Sequence, residues 1–139
     1  MKIAKILSIL VLIGLFFFAL IQLIPYGRNH KNPLVVQEPN WDAQTRAIAK
    51  KACFDCHSNE VTWPWYSNIA PVSWLVQRDV DEGRRHLNFS DWGRGGAGTG
   101  DLAEVIQSGE MPPFQYTLIH TSAKLSAAEK QALVQGLSK

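Results

Sequence analysis

The most regular pattern in the chain is a run of nineteen uncharged, mostly apolar residues, 6–24, near the N-terminus. A helix rises about 1.5 Å per residue, so this run spans ~28 Å, close to the hydrocarbon thickness of a bilayer. A helix buried in a soluble core usually has a polar face, and this run has none. The pattern therefore predicts a transmembrane helix, with residues 1–25 as a membrane anchor.

A secretory signal peptide is the alternative, because Lys2 and Lys5 directly precede the apolar run. Signal peptides usually have an apolar core of about 7–15 residues, which is shorter than this one. The exit from the run, residues 22–27, contains no small-x-small cleavage site. We therefore expect an uncleaved, single-pass anchor.

The rest of the chain begins with a proline-rich stretch and continues as a helical domain. Residues 26–40 contain Pro33, Pro39 and three asparagines, which resist helix formation and predict an extended tether. Apolar spacing and capping residues then predict helices over residues 41–52, 71–87 and 101–108, and a last helix after Ser126. Strand patterns are almost absent. Residues 41–139 are therefore predicted to form one all-α domain.

Five residues mark the expected helix ends. Asn40 is expected to cap the first helix of the domain, and Pro71 suits the first turn of the second. Gly109 is the expected C-cap of the third helix. Ser126 and Glu129 have the spacing of a capping box at the start of the last helix.

The glycine-rich stretch 93–100, GRGGAGTG, is predicted to be a flexible loop. Its first six residues match the G-x-G-x-x-G pattern of dinucleotide-binding proteins. That pattern binds pyrophosphate between a strand and a helix of a βαβ unit, whereas here the surrounding sequence is helical. We expect no nucleotide to bind there.

The charge balance gives no reason to expect nucleic acid as a partner. The chain has 14 Lys and Arg residues and 12 Asp and Glu residues, and Lys2 and Lys5 are its only charged residues before position 26. The remaining part is therefore neutral. Phosphate binding needs a clustered basic surface.

The two cysteines of the chain, Cys53 and Cys56, lie three residues apart, and His57 follows directly. C-x-x-C-H is the attachment signature of c-type haem. The spacing has a physical reason, because two thiols must reach the two vinyl groups on one edge of the porphyrin. The adjacent imidazole then binds the iron from the proximal face. We expect one covalent haem, with Cys53 and Cys56 as thioethers and His57 as the proximal iron ligand.

Three other interpretations use the same residues. A thioredoxin-like C-x-x-C would need a βαβ context. A structural zinc site would need about four ligands, whereas the other histidines, His30, His86 and His120, are scattered singly. A disulfide between the two cysteines would leave the adjacent histidine unexplained.

Aromatic and basic residues near the motif are candidates for the haem pocket. Trp63 and Tyr66 follow the motif closely, and packing against the porphyrin edge explains them as well as an ordinary core does. Arg84 and Arg85 are candidate partners of the haem propionates, because guanidinium groups bind carboxylates bidentately. A solvated helix face is the more common role of such an arginine pair.

Met111 is the expected second axial ligand of the iron. Apart from the initiator it is the only methionine, and the two prolines after it would hold the backbone extended. Filling a gap in the core is the alternative role of such a side chain. His120 or His86 would give bis-histidine ligation instead, and an open iron position is a further alternative.

These stretches together resemble the bacterial haem-binding-domain family, small proteins with an N-terminal hydrophobic segment and one C-x-x-C-H motif. The resembling stretches are CFDCHSN at 53–59, PWYSNIAPVSW at 64–74, EG at 82–83, LNFS at 87–90, GEMPP at 109–113, Tyr116, LS at 125–126 and EK at 129–130. The resemblance covers roughly residues 41–138. The glycine-rich loop 93–100 departs from it.

The resemblance, which extends to class I cytochromes c, implies a small helical domain wrapped around one covalent haem. It implies that His57 is the proximal ligand and Met111 the distal ligand. It also implies that the Pro71 carbonyl accepts a hydrogen bond from the His57 imidazole and so orients it.

These expectations combine into a membrane-anchored monohaem c-type cytochrome that transfers electrons. The haem domain would lie on the periplasmic side of the inner membrane, because haem is attached to this motif there in bacterial c-type systems. Its partners would be membrane lipid around residues 6–24 and a redox protein. A haem-based sensor, or a small-ligand-binding subunit of a membrane enzyme, is the alternative. We expect no catalysis by this chain alone.

Overall fold

A computed structural model describes residues 2–93 and 99–138. Within these ranges the chain forms seven α-helices and no β-strand, which confirms the all-α prediction. The helices are α1 (Lys2–Ile21), α2 (Ala43–Ala52), α3 (Phe54–His57), α4 (Val72–His86), α5 (Thr99–Ser108), α6 (Phe114–Ile119) and α7 (Ala127–Leu137). Two short 3-10 helices, Trp65–Asn68 and Thr121–Ala123, add to these. The predicted glycine-rich loop falls mostly on residues 94–98, which lie outside the described ranges.

Most of the predicted helix ends are confirmed. Ser126 and Glu129 form the expected capping box of α7, each side chain bonding to the other residue's backbone N–H. Gly109 follows α5 directly and has a φ of 87°, a left-handed conformation that favours glycine. α4 begins at Val72, directly after Pro71.

Two helix starts differ from the prediction. α2 is capped by Asp42 and not by Asn40, because the Asp42 side chain accepts the backbone N–H of Thr45 at 2.8 Å. The Trp41 N–H donates to the carbonyl of Pro39, which keeps the chain outside the helix for two further residues. α5 begins at Thr99 rather than at residue 101.

Two helices were not predicted from the sequence. α3 has four residues and α6 has six, so neither is long enough for apolar periodicity to identify it.

The chain divides into two units, which are described separately. The first unit consists of Met1–His30 and Trp63–Asp79, and the second of Lys31–Thr62 and Val80–Lys139. α1 belongs to the first unit, and α4 contributes residues to both. The boundaries of anchor, tether and domain that the sequence suggests stay a prediction.

In the first unit, α1 is the one described helix that is long and apolar enough to cross a membrane. None of its residues is buried. Its last three carbonyls accept the backbone N–H groups of residues 22–24, and side chains just beyond the helix add further bonds. Gln22 Nε2 donates to the Phe18 carbonyl at 3.1 Å, and Arg28 Nη1 donates to the Gln22 carbonyl at 2.8 Å. The helix end therefore has hydrogen-bond partners of its own without relying on water.

The hydrophobic core of the second unit lies where α7 packs against α2 and α5. Leu133 and Leu137, the predicted core face of α7, are buried there. The rings of Phe54 and Phe89 stack with their centroids 5.8 Å apart, and the Trp41 ring lies 5.9 Å from that of Phe54. The buried members of this core are Ile48, Ala49, Phe54, Leu87, Phe89, Leu102, Ile106, Leu133 and Leu137.

Residues 31–40 contain no helix and are fixed along the second unit, whereas Tyr26 and Gly27, in the predicted tether, form a turn. The Val36 N–H donates to the Ser90 carbonyl at 2.8 Å, and the Trp92 N–H donates to the Gln37 carbonyl at 2.9 Å. The Glu38 carboxylate pairs with the guanidinium group of Arg46 in α2, and this pairing lowers the pKa of Glu38. The sequence predicted the absence of a helix in this stretch but not its attachment.

α4 approaches α3 very closely at Gly83, which is buried. A Cβ atom built on Gly83 would overlap the carbonyl group of Cys56 and would lie 3.0 Å from the Cys56 Cβ. Only a residue without a side chain allows this approach. The closeness of the two helices therefore depends on this glycine.

We expect Gly83→Ala to destabilise the protein. Alanine normally favours a helix interior over glycine by about 1 kcal/mol, but forcing a Cβ into a packed backbone costs about 1–3 kcal/mol. Guanidinium unfolding of the detergent-solubilised full chain, followed by far-UV circular dichroism, should show a net loss of about 1–2 kcal/mol. Glu82→Ala, at the exposed neighbouring position of the same helix, is the control and should change stability little. A more stable Gly83→Ala protein would contradict the close contact.

Candidate haem site

The junction of α2 and α3 holds Cys53, Cys56 and His57 on one turn of backbone. The Cys53 N–H donates to the Ala49 carbonyl at 2.8 Å. The Cys53 carbonyl accepts the N–H groups of Cys56 at 3.1 Å and of His57 at 2.9 Å. The two thiols are therefore one helical turn apart, with the imidazole directly after the second. Both cysteines are half-buried, and no disulfide joins them.

The alternatives to haem find little support in this geometry. Burial raises the pKa of the Cys53 thiol to about 12, and the nearby Cys56 adds to the effect. Thioredoxin-like cysteines have a lowered pKa instead, since their thiolate is the nucleophile. Across the described ranges, no group of three or more His, Cys, Asp and Glu side chains lies together as a structural zinc ion would need.

The His57 imidazole is held by two backbone carbonyls. Its Nδ1 atom lies 3.0 Å from the Gly83 carbonyl oxygen and 3.1 Å from the Leu87 carbonyl oxygen. Carbonyl oxygens only accept hydrogen bonds, so Nδ1 carries the proton and Nε2 keeps its lone pair. This arrangement leaves Nε2 as the nitrogen that can bind a metal.

The prediction that the Pro71 carbonyl orients His57 is wrong. The Pro71 carbonyl accepts the N–H groups of Trp74 at 3.1 Å and of Leu75 at 3.4 Å, in the first turn of α4. The imidazole instead bonds at the C-terminal end of that helix, to the Gly83 carbonyl, which also accepts the Leu87 N–H at 2.9 Å, and to the Leu87 carbonyl directly after the helix. Gly83 and Leu87 lie in stretches that the family resemblance includes, but no residue-type pattern indicates that their carbonyls bind His57.

Burial lowers the pKa of His57, and the two backbone carbonyls oppose this effect only in part. The imidazole is therefore neutral at physiological pH. A neutral imidazole is the form that binds a metal ion, because the protonated ring has no lone pair to donate.

The two arginines proposed for the haem propionates differ in their surroundings. Arg84 Nε donates to the Ser58 carbonyl at 2.8 Å, and both of its Nη atoms lie 3.2 Å from the Lys31 carbonyl oxygen. Its guanidinium group therefore joins α4 to two backbone segments of the second unit. Arg85 and His86 are exposed on α4. The pairing of Arg84 and Arg85 with propionates stays a prediction.

Trp63 and Tyr66 belong to the first unit, as does Pro71. The Trp63 ring stacks on His30 with the centroids 4.7 Å apart. The Trp63 indole Nε1 is buried and has no hydrogen-bond partner in the described part of the chain. A buried donor without a partner is costly, so this group is suited to an acceptor that the polypeptide does not supply.

The candidate distal ligands lie on the segment around α6. Met111 is half-buried, and its N–H donates to the Val105 carbonyl at 3.0 Å. His120 stacks on the Tyr116 ring with the centroids 4.3 Å apart. The Tyr116 hydroxyl donates to the carboxylate of Asp55 at 2.7 Å. Asp55 lies between the two cysteines, so this bond joins the Met111 segment to the haem motif.

The donor set and its surroundings fit a haem attached at Cys53, Cys56 and His57. The motif offers two thiols one turn apart that form no disulfide, and an imidazole with an available Nε2 atom. Phe54, between the cysteines, is buried in the core. The Phe89 ring lies 6.4 Å from the His57 ring. The motif is therefore backed by a rigid apolar core.

Among known protein families, the chain matches one that binds haem. The sequence profile of the haem-binding domain matches residues 16–139. No curated protein matches the chain, and no solved structure does. The match includes every residue of the candidate site and every described helix except the first fourteen residues of α1. We conclude that the chain belongs to the haem-binding-domain family.

Proposed function

We propose that this haem-binding protein is a membrane-anchored monohaem c-type cytochrome. The observation that carries the proposal is the geometry of the C-x-x-C-H motif, in which two carbonyls hold His57 Nδ1 and leave Nε2 for the iron. Cys53 and Cys56 would form the two thioethers. A bound haem would supply a one-electron redox centre. Electron transfer, and not catalysis on a substrate, is the role we propose for it.

The residues of the chain would set the properties of the haem in three ways. The carbonyls of Gly83 and Leu87 hold the His57 ring and raise its basicity as a ligand. The core around Phe54 and Phe89 excludes water from the proximal side. Met111 would bind the distal face as a soft, neutral thioether, which favours ferrous iron and a high reduction potential.

The anchor would keep this domain at the inner membrane, on the periplasmic side. The 20-residue helix α1 supports this part of the proposal by its length and by its lack of buried residues. Electron transfer at that surface requires a redox protein as partner. The balanced charge of the rest of the chain indicates that this partner is not bound by net charge attraction.

A haem-based sensor, or a ligand-binding subunit of a membrane enzyme, is the second candidate. It is favoured by the segment that follows Met111. α6 has six residues, of which only Thr117 is buried, while Phe114, Leu118 and Ile119 are exposed. A segment with so few buried contacts opens at low free-energy cost. Opening would release Met111 and expose an iron position to a small ligand.

The first test concerns covalent attachment. Protein produced in cells with the c-type haem maturation machinery should keep its haem through denaturing electrophoresis and acid–organic extraction. Cys53→Ala and Cys56→Ala should each leave one thioether at most and greatly reduce the yield of holoprotein, and the double variant should carry no covalent haem. His57→Ala should also greatly reduce haem content, whereas His86→Ala, the control at an exposed histidine, should retain full haem content. Haem that is extracted from the wild-type protein would disprove covalent attachment.

The second test concerns the anchor. The haem-containing protein should stay with the membrane after salt and carbonate washes, because lipid and not charge holds it. Its N-terminal sequence should still read Met-Lys-Ile. In spheroplasts, external protease should digest the haem domain and leave a protected fragment that contains α1. A soluble holoprotein that begins between Tyr26 and Asn32 would show that the apolar run is a cleaved signal peptide.

The third test concerns the distal ligand. The oxidised protein should have the weak near-infrared charge-transfer band of an iron–thioether bond. Met111→Ala should abolish this band, lower the reduction potential and open the iron to carbon monoxide, without loss of the thioethers. His120→Ala is the matched control and should keep the band. A spectrum that changes in His120→Ala but not in Met111→Ala would assign bis-histidine ligation. Rapid carbon monoxide binding by the wild-type protein would favour the sensor.

A further inference from the structure

The first unit presents an uncharged, apolar surface that nothing in that unit covers. Residues 63–77 contain no charged side chain. Trp65 is 76% exposed and Leu75 is 52% exposed, and Ile69 and Val72 are exposed between them. Ser67, Ala70 and Ser73 are the buried positions of the same stretch. Trp63, Tyr66 and Trp74 are half-buried. Several large apolar side chains are therefore exposed while small and polar ones are buried, which is unfavourable for a surface that faces water.

The segment 63–77 is hydrogen-bonded to the residues that directly follow α1. The Gln22 side chain pairs with the backbone of Ala70 in both directions. Its Nε2 donates to the Ala70 carbonyl at 2.9 Å, and its Oε1 accepts the Ala70 N–H at 3.0 Å. The Ser73 hydroxyl donates to the Tyr26 carbonyl at 3.4 Å. Gly27, with a φ of 79°, packs so closely on Ser73 that a Cβ atom would overlap the Ser73 carbonyl.

These bonds fix the depth of the segment once α1 crosses a bilayer, so the argument rests on the proposed anchor. α1 has 20 residues and is therefore about 30 Å long, the thickness of the hydrocarbon core. Gln22 follows it directly and must lie where hydrocarbon meets the headgroups. Ala70, bonded to Gln22, must lie at the same level. Leu23 and Ile24 are exposed and continue the apolar surface from α1 toward the segment.

We propose that residues 65–75 form a second membrane contact, which lies in the headgroup interface of the bilayer that holds α1. Trp65 would be its main anchor, because the indole ring has an apolar body and a polar N–H and is enriched at this depth. Ile69, Val72 and Leu75 would face the upper acyl chains. The occupant of this surface is lipid, and the contact makes α1 and residues 63–75 one membrane-bound body instead of a helix on a free tether.

The experiment uses the full-length holoprotein in bilayer discs. The discs contain phosphatidylethanolamine and phosphatidylglycerol, with a small fraction of phosphatidylcholine that carries a diazirine near the glycerol end of an acyl chain. After illumination, peptide mass spectrometry should find lipid adducts on α1 and on residues 63–77. Leu34, in the second unit, is 87% exposed and should carry no adduct, which controls for exposure alone.

Two variants make the test specific. Trp65→Glu combined with Ile69→Glu should reduce adducts on residues 63–77 severalfold and leave those on α1 unchanged, whereas Leu34→Glu should change neither. Gln22→Leu should also reduce the adducts on residues 63–77, because it removes both bonds to Ala70 and keeps the helix apolar. An unchanged haem absorption spectrum in each variant shows that the haem domain is still folded.

The outcomes separate this inference from the proposed function. A wild-type protein that does not insert into the discs would overturn the anchor and this inference together. A protein with adducts on α1 and none on residues 63–77 would overturn the inference alone. A changed haem spectrum in the Trp65→Glu and Ile69→Glu protein, with unchanged adducts, would overturn it in favour of haem as the occupant of this surface. Crosslinks between two copies of the chain through residues 65–75, without lipid adducts, would overturn it in favour of a dimer.

Discussion

The haem site depends on one backbone contact, the approach of Gly83 in α4 to Cys56 in α3. Because Gly83 has no Cβ, α4 comes close enough for its last carbonyls to reach the imidazole. The carbonyls of Gly83 and Leu87 both bond to His57 Nδ1, so one glycine sets both the distance between the helices and the tautomer of the ligand. Main-chain atoms of a packed helix move less than a side-chain partner would. The candidate iron ligand is therefore held by main-chain atoms, one carbonyl inside α4 and one directly after its end.

The two residues between the cysteines connect the motif to its surroundings. Phe54 points into the core, where it stacks with Phe89, and fixes the motif from behind. The Asp55 carboxylate accepts the Thr62 N–H with one oxygen and the Tyr116 hydroxyl with the other. The haem motif is thus tied to the chain that follows it and to the segment that carries Met111. A substitution of Asp55 would remove the hydrogen bond to Tyr116, on the segment of Met111, without replacing any candidate iron ligand.

The distance along the chain over which each interaction acts explains which features the sequence predicted and which it missed. The capping box of Ser126 and Glu129 is local and was predicted, as were the extent of α4 and the buried face of α7. Local competition misled the prediction at α2, where Asn40 and Asp42 are both good caps and a turn at Trp41 decides between them. The partners of His57 are backbone carbonyls about thirty residues away in the chain. Every residue has a carbonyl, so no residue type reveals which one is used.

The structural role of Gln22 is also one that the pattern of apolar residues does not predict. In the sequence it is one polar residue near the end of a hydrophobic run and adds nothing to the prediction. In the structure its amide makes hydrogen bonds to the backbone at Phe18 and Ala70 and to the side chain of Arg28. Unsatisfied backbone groups cost several kcal/mol in hydrocarbon, so a side chain that completes the end of α1 and the loop beside it is favoured at that depth more than in water. In the proposed anchored protein, Gln22 therefore marks the point where the chain would leave the membrane, and it is also where the neighbouring segment is hydrogen-bonded to α1.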